Sequence, residues 1–190
     1  ILKKSGAVII PSFSVGRTQD VLYLIKVLME DNKIPHVPVF LDSPLSRRAN
    51  KIFGEYFRAG HIKGEVTNHE NIYPSTLNEI DSVSESISLN ASSGAMIIIS
   101  ASGMIDGGRV VHHVKNKITD KKNGIILVGY QPEGTKGRIL LEGEKMLRLH
   151  KKELPVLASI FHINSLSAHG DYLDIIEWLQ ESKINPELVI

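Results

Sequence analysis

Four short apolar runs, each followed by a glycine- or serine-rich loop and then by helical spacing, constrain this chain more than any other feature of its sequence. Gly6-Ala-Val-Ile-Ile-Pro11 is the first. It is brief, β-branched and closed by proline, so it reads as a buried strand. The turn Ser12 to Gly16 leads into a predicted helix from Thr18 to Met29, with Val21, Leu22, Ile25, Leu28 and Met29 at helical spacing. Pro35 and Pro38 frame a second strand, Val37 to Leu41, and the next helix opens with Ser43 as N-cap and Pro44 at its first position. The third strand, Ala95 to Ser100, runs into the loop Ser100–Gly108 and a helix presenting Val110, Val111, Val114 and Ile118. The fourth, Gly124 to Val128, is followed by Gly129–Gly134 and a helix over Lys136–Leu141. Strand, loop and helix repeated four times predict an α/β fold: a mainly parallel sheet with helices on both faces. Ligands in such sheets bind at the loops leaving the carboxyl ends of the strands.

The remainder is less regular. Residues 64–94 are polar and rich in Asn and Ser, with no clear period. From Glu144 onward, 146–150 and 155–161 read as strands that pair as a hairpin; Ser167-Ala-His-Gly-Asp171 and a helix over Leu173–Leu179 follow. Pro186 to Ile190 has the character of a strand cut midway. With 42% hydrophobic and 23% charged residues the chain has the composition of a folded domain rather than a disordered one. Apolar runs such as Met96–Ile99 and Ile125–Val128 are far too short to span a bilayer, so no membrane partner is expected. The absence of cysteine excludes disulfides and thiolate metal sites and is compatible with a reducing cytoplasm, the expected location. Net charge is only +1, but basic blocks at 1–63 and 109–152 totalling +12 alternate with acidic blocks totalling −11. Basic blocks sharing a face would attract a phosphate backbone; the same pattern also suits a solvated mixed surface.

Three of the strand-end loops carry the candidate chemistry. They are Ser12-Phe-Ser-Val-Gly-Arg17, Ser100-Ala-Ser-Gly103 with Gly107-Gly-Arg109, and Gly129-Tyr-Gln-Pro-Glu-Gly-Thr135. Glycine admits close backbone approach, and hydroxyls, amides and guanidinium forks suit phosphate oxygens. Ser12, Ser14, Arg17, Ser100, Ser102, Gly103, Arg109, Gln131 and Thr135 are the candidate phosphate-binding residues. Tight turns needed only by the fold would have the same composition. His169, flanked by Ser167 and Asp171, is the candidate proton donor or phosphate ligand, and an ordinary helix-start histidine is its alternative. His112 and His113, adjacent on a helix, point in different directions and are assigned no metal role. His36, His61, His69, His150 and His162 show no site-like spacing, and no HxHxDH cluster is present.

Taken in order, Pro11-Ser-Phe-Ser-Val-Gly-Arg17, Leu41-Asp-Ser-Pro-Leu45, Ser100-Ala-Ser-Gly-Met104 with Gly107-Gly-Arg109, Gly129-Tyr-Gln-Pro-Glu-Gly-Thr135 and Ser167-Ala-His-Gly-Asp171 resemble the β-CASP family of metallo-β-lactamase-type RNA nucleases. The Ser-Ala-Ser-Gly-Met loop looks closer to the cleavage-and-polyadenylation-factor branch than to ribonuclease J. The resemblance implies a β-CASP domain over residues 1–167 and, from 168 to 190, the start of the segment returning to a metallo-β-lactamase domain. It also implies RNA as substrate, cleaved between the two domains with two zinc ions, and His169 as the motif B histidine. The zinc-binding motifs are all expected before Ile1 and after Ile190, so this stretch alone is expected neither to bind zinc nor to cut RNA. The expected partners are RNA and the metallo-β-lactamase domain of the same chain, with a homodimer left open. A non-catalytic RNA-binding or scaffold subunit and a small-molecule phosphate-binding domain are the competing expectations.

Overall fold

All four expected units form. The computed structural model describes residues 1–61, 72–166 and 170–182. Its strands are β1 (Ala7–Pro11), β2 (Val39–Asp42), β3 (Leu77–Glu79), β4 (Met96–Ser100), β5 (Gly124–Leu127), β6 (Met146–Leu149), β7 (Lys152–Pro155) and β8 (Ser159–His162). The helices are α1 (Arg17–Glu30), α2 (Pro44–Arg58), α3 (Val83–Ala91), α4 (Arg109–Lys117), α5 (Lys136–Leu141) and α6 (Tyr172–Glu181). The main sheet has the order β3-β2-β4-β1-β5-β8, and every pairing in it is parallel.

Side-chain alternation along the strands explains why the apolar runs are continuous. Val8, Ile10, Val39, Leu41, Ile97 and Ile99 face one side, where Val21, Leu22, Ile25 and Met29 of α1 cover them. Ala7, Ile9, Met96, Ile98, Ile125 and Leu127 face the other, under Leu89 of α3, Val110, Val111 and Val114 of α4, and Leu140 of α5. Strands buried on both faces need apolar residues at every position. Each fully buried isoleucine, such as Ile9 or Ile98, contributes about 1.5–3 kcal/mol. Helix starts follow local chemistry. The Ser43 hydroxyl caps α2 by accepting from the Ser46 amide with Pro44 at the first position, and Ser82 and Glu85 form a capping box on α3.

Two expectations need correction. The run 155–161 is not one strand pairing with 146–150. Its first residue, Pro155, ends β7, which pairs with β6; the chain then crosses over, its Leu157 and Ala158 amides donating to the Ile118 carbonyl. Only then does β8 begin, joining the main sheet beside β5. The polar segment 64–94 holds more order than its composition suggested: residues 77–79 form the edge strand β3 and 83–91 form α3. A three-residue edge strand with one half-buried and two exposed positions is too short to give a period. No described helix is long and apolar enough to cross a membrane. The expected domain boundary at 167/168 lies outside the described residues.

Candidate functional site

Because β4, β1 and β5 are neighbours in the sheet, the three distinctive loops leave from one rim. They are joined to one another. The Ser12 amide donates to the Ser100 carbonyl at 3.0 Å, Gln131 Nε2 donates to the Gly103 carbonyl at 3.2 Å, and the Gly137 amide donates to the Met104 carbonyl at 3.0 Å. Two glycines make the middle loop fit. At Gly108 φ is +76° and a Cβ would sit 2.9 Å from the Ala101 carbonyl oxygen; at Gly103 a Cβ would press on the Phe13 ring at 3.3 Å.

The side chains nominated from sequence are brought to this rim, but most are turned inward. Ser12 is buried, with its hydroxyl 3.4 Å from the Phe13 carbonyl. Ser14 Oγ lies 3.3 Å from Ser43 Oγ. Ser100 is buried and donates to the Asp42 carbonyl at 2.8 Å, while Ser102 Oγ accepts from the Met104 amide at 3.4 Å. Gln131 is buried between Gly103 and Gly129, donating to both carbonyls. Thr135 caps α5, accepting from the Arg138 amide and donating to the Pro132 carbonyl at 2.7 Å. The Arg17 side chain is only 12% exposed and pairs with Asp20 at 3.6 Å. Gly103 is buried beneath Phe13. These residues build the rim rather than decorate it.

Beneath the rim is a polar cluster that sequence reasoning did not assemble. Asp42, at the end of β2, is fully buried. Its Oδ1 accepts from Arg109 Nη1 at 2.6 Å; its Oδ2 accepts from Ser86 Oγ at 2.5 Å and lies 2.7 Å from His113 Nε2. Arg109 also donates through Nη2 to the Asp81 carbonyl at 3.3 Å, and its side chain is 22% exposed. Burial would raise the Asp42 carboxyl, but the hydrogen bonds from His113, Ser86 and Arg109 outweigh it and hold the group below its ordinary range. The signal available from sequence was Asp42 in Leu41-Asp-Ser-Pro-Leu45 and Arg109 in Gly-Gly-Arg; nothing local linked them.

The two adjacent histidines do diverge: His113 is buried against Asp42, and His112 is exposed. His112 instead meets His150, a residue with no sequence cue, with ring centroids 4.6 Å apart and edge-on. Burial, then the neighbouring His150, Lys115 and His113, push the His112 imidazole below its ordinary range. Both histidines line a shallow cavity of about 540 Å³ together with Arg109 and Lys136. Among the described residues no three His, Asp or Glu side chains are grouped so as to hold a metal ion. The two zinc ions that the resemblance implies have no ligand set among the described residues. His169, the candidate catalytic residue, lies outside the described residues.

The rim exposes the acids Asp106 and Glu133 and, beside them, large side chains of another kind. Phe13 is 48% exposed, Val15 60% and Tyr130 68%. Both aromatics sit inside the loops singled out from sequence, and the loops' composition alone does not mark them as exposed.

Comparison with known proteins identifies the family. The Beta-Casp domain family matches residues 18–140. A protein of Thermus thermophilus named Ribonuclease TTHA0252 is 32% identical over 94% of this chain and 42% of its own length. An RNase J-like protein of Methanocaldococcus jannaschii is 35% identical over 95% of this chain and 41% of its own. The transcription termination factor FttA of the same archaeon is 29% identical over 98% of this chain and 31% of its own. The chain thus spans less than half the length of each of these relatives. A parallel sheet with three interlocked loops on its carboxyl rim, and a family match running from α1 to α5, make this chain a member of the Beta-Casp family.

Proposed function

We propose that this chain is the RNA-binding half of a zinc-dependent ribonuclease that hydrolyses phosphodiester bonds, its other half being a metallo-β-lactamase domain of the same protein. The observation that carries this reading is the rim itself: three interlocked loops on adjacent strands, with the partly exposed Arg109 closing the middle one, in a chain similar to a protein named a ribonuclease. Residues 1–167 bind RNA; residues 168–190 begin the return to the lactamase domain. The zinc ligands lie outside the described residues, and the chain on its own does not cut RNA. Arg109, bonded to Asp42 and to the Asp81 carbonyl but 22% exposed, is the rim's candidate phosphate contact through its open edge. His169 contacts the scissile phosphate or protonates the leaving oxygen. A proton donor matters as charge develops in the transition state, so its loss should lower turnover and spare affinity.

The test uses the full-length protein and a single-stranded RNA. Metal-dependent cleavage is expected, with His169→Ala slowing single-turnover cleavage by about 10²–10⁴-fold at nearly unchanged RNA affinity. A His169→Ala protein that keeps its fold and zinc and cleaves like wild type would remove the motif B assignment. Tight RNA binding without cleavage under any metal would instead favour a non-catalytic RNA-binding subunit.

A further inference from the structure

Two histidines from distant parts of the chain meet at the cavity of about 540 Å³ beside α4. His112 comes from α4 and His150 from the β6–β7 turn, with ring centroids 4.6 Å apart. Neither imidazole has a hydrogen-bond partner among the described residues. The turn itself is unusual: its two residues, His150 and Lys151, have φ of +48° and +64°. A two-residue hairpin loop with positive φ at both positions is served best by asparagine and glycine, so a larger side chain at each destabilises the fold. What His150 brings in return is its place on the cavity wall, edge-on to His112. The surrounding charges set the sign of a ligand. Arg109 is matched by Asp42 and Lys136 by Asp106, so those four cancel. His113 is turned to Asp42, and Lys115, which acts on His112, has no acidic partner among the described residues, so the balance is positive. A metal ion would meet that charge with no third ligand among the described residues.

We propose that His112 and His150 form a binding site for a small oxyanion, such as sulfate or inorganic phosphate, taken up together with protons on the imidazoles. This goes beyond the RNA reading and does not depend on it. Two imidazoles in contact oppose one another's charging. A dianion against both removes that opposition, because each imidazolium N–H then has an oxygen to donate to. Arg109 and Lys136, although paired, keep N–H groups to spare: Arg109 commits Nη1 to Asp42 and Nη2 to the Asp81 carbonyl, and Lys136 meets Asp106 alone. Burial, then His150, Lys115 and His113, hold His112 below its ordinary range. A bound dianion acts in the opposite direction, so His112 should titrate at higher pH with sulfate than without it. Anion and proton therefore strengthen each other's binding by the same factor, and affinity for the anion rises as pH falls.

Sulfate, whose own charge does not change near neutral pH, is the probe. It is titrated calorimetrically into the full-length protein at about pH 8 and about pH 5.5, on either side of the ordinary histidine value, while NMR follows the His112 ring. Affinity should tighten by about tenfold or more at the lower pH, a factor of ten for each unit by which sulfate raises the titration midpoint of His112. His112→Ala and His150→Ala should each abolish that pH-dependent gain. His112→Arg, permanently charged, should bind sulfate equally at both pH values, a result that a merely structural role for His112 would not produce. His36→Ala, which removes an exposed histidine between α1 and β2, should behave as wild type. Sulfate binding that ignores pH, or that survives both alanine variants, overturns the site. Displacement of the pH-dependent sulfate by single-stranded RNA also overturns it, since the anion would then be occupying an RNA subsite. Zinc held by wild type and lost in both alanine variants, with no response to sulfate, makes the pair a metal site instead.

Discussion

The floor and the lip of the rim are built from different elements and by different rules: β2, α3 and α4 supply the floor, and the loops after β1 and β5 supply the lip. On the floor, Asp42, Ser86, Arg109 and His113 satisfy one another over 2.5–2.7 Å around a carboxylate with no exposure to solvent. On the lip, Phe13, Val15 and Tyr130 stand in water although the backbones beneath them are hydrogen-bonded. A buried charge must be fully paired, because leaving it uncompensated costs several kcal/mol. An exposed ring needs no partner and is free to take one from outside. Polar residues in a strand-end loop are therefore not by that fact ligand contacts; here most of them shape the loop so that other residues can be.

The sharpest way to break this contrast is to open the floor. Asp42→Ala leaves the Arg109, Ser86 and His113 donors without their acceptor in a buried place, and should cost about 3–5 kcal/mol in denaturant unfolding. Its pH dependence is distinctive. The folded-state pKa of Asp42 lies below its unfolded value, so its stabilisation is complete above about pH 4 and is lost as pH falls through the lower, folded value. Wild type should lose stability over that acid window, and Asp42→Asn should flatten the loss. If Asp42→Asn shows the same acid slope as wild type, Asp42 is not the group that titrates.

A smaller effect separates building from binding at Thr135. As the N-cap of α5 its replacement by alanine should cost about 0.5–2 kcal/mol, read in the same unfolding measurement. RNA affinity should be nearly untouched under conditions where the variant is folded. A loss of affinity outrunning the loss of stability would return Thr135 to the lip.

The smallest stability change belongs to Arg17. It forms a 3.6 Å pair with the exposed Asp20, of the kind worth about 0–1 kcal/mol. Arg17→Ala should unfold within that margin of wild type. Since its guanidinium is largely covered, the slope of log affinity for RNA against log salt should also stay as in wild type; a slope reduced by about 1 would show that Arg17 swings out to reach a phosphate.

The sequence by itself determined the sheet and its polarity. Unbroken β-branched runs such as Ala7–Ile10 and Met96–Ile99 suit only strands covered on both faces, and Ser43 followed by Pro44 announces a helix start through bonds no more than three residues long. It also marked the three loops, because in a parallel sheet every loop after a strand lies on one edge. Only the tertiary structure decided which way the loop side chains face. Asp42 finds Ser86, Arg109 and His113 at separations of 44, 67 and 71 residues, and His112 finds His150 only because the β6–β7 turn is folded back over α4. Periodicity and capping are local and can be read from neighbours in sequence. Pairing across a sheet depends on strand order, and a buried carboxylate draws its donors from whatever elements that order places beside it.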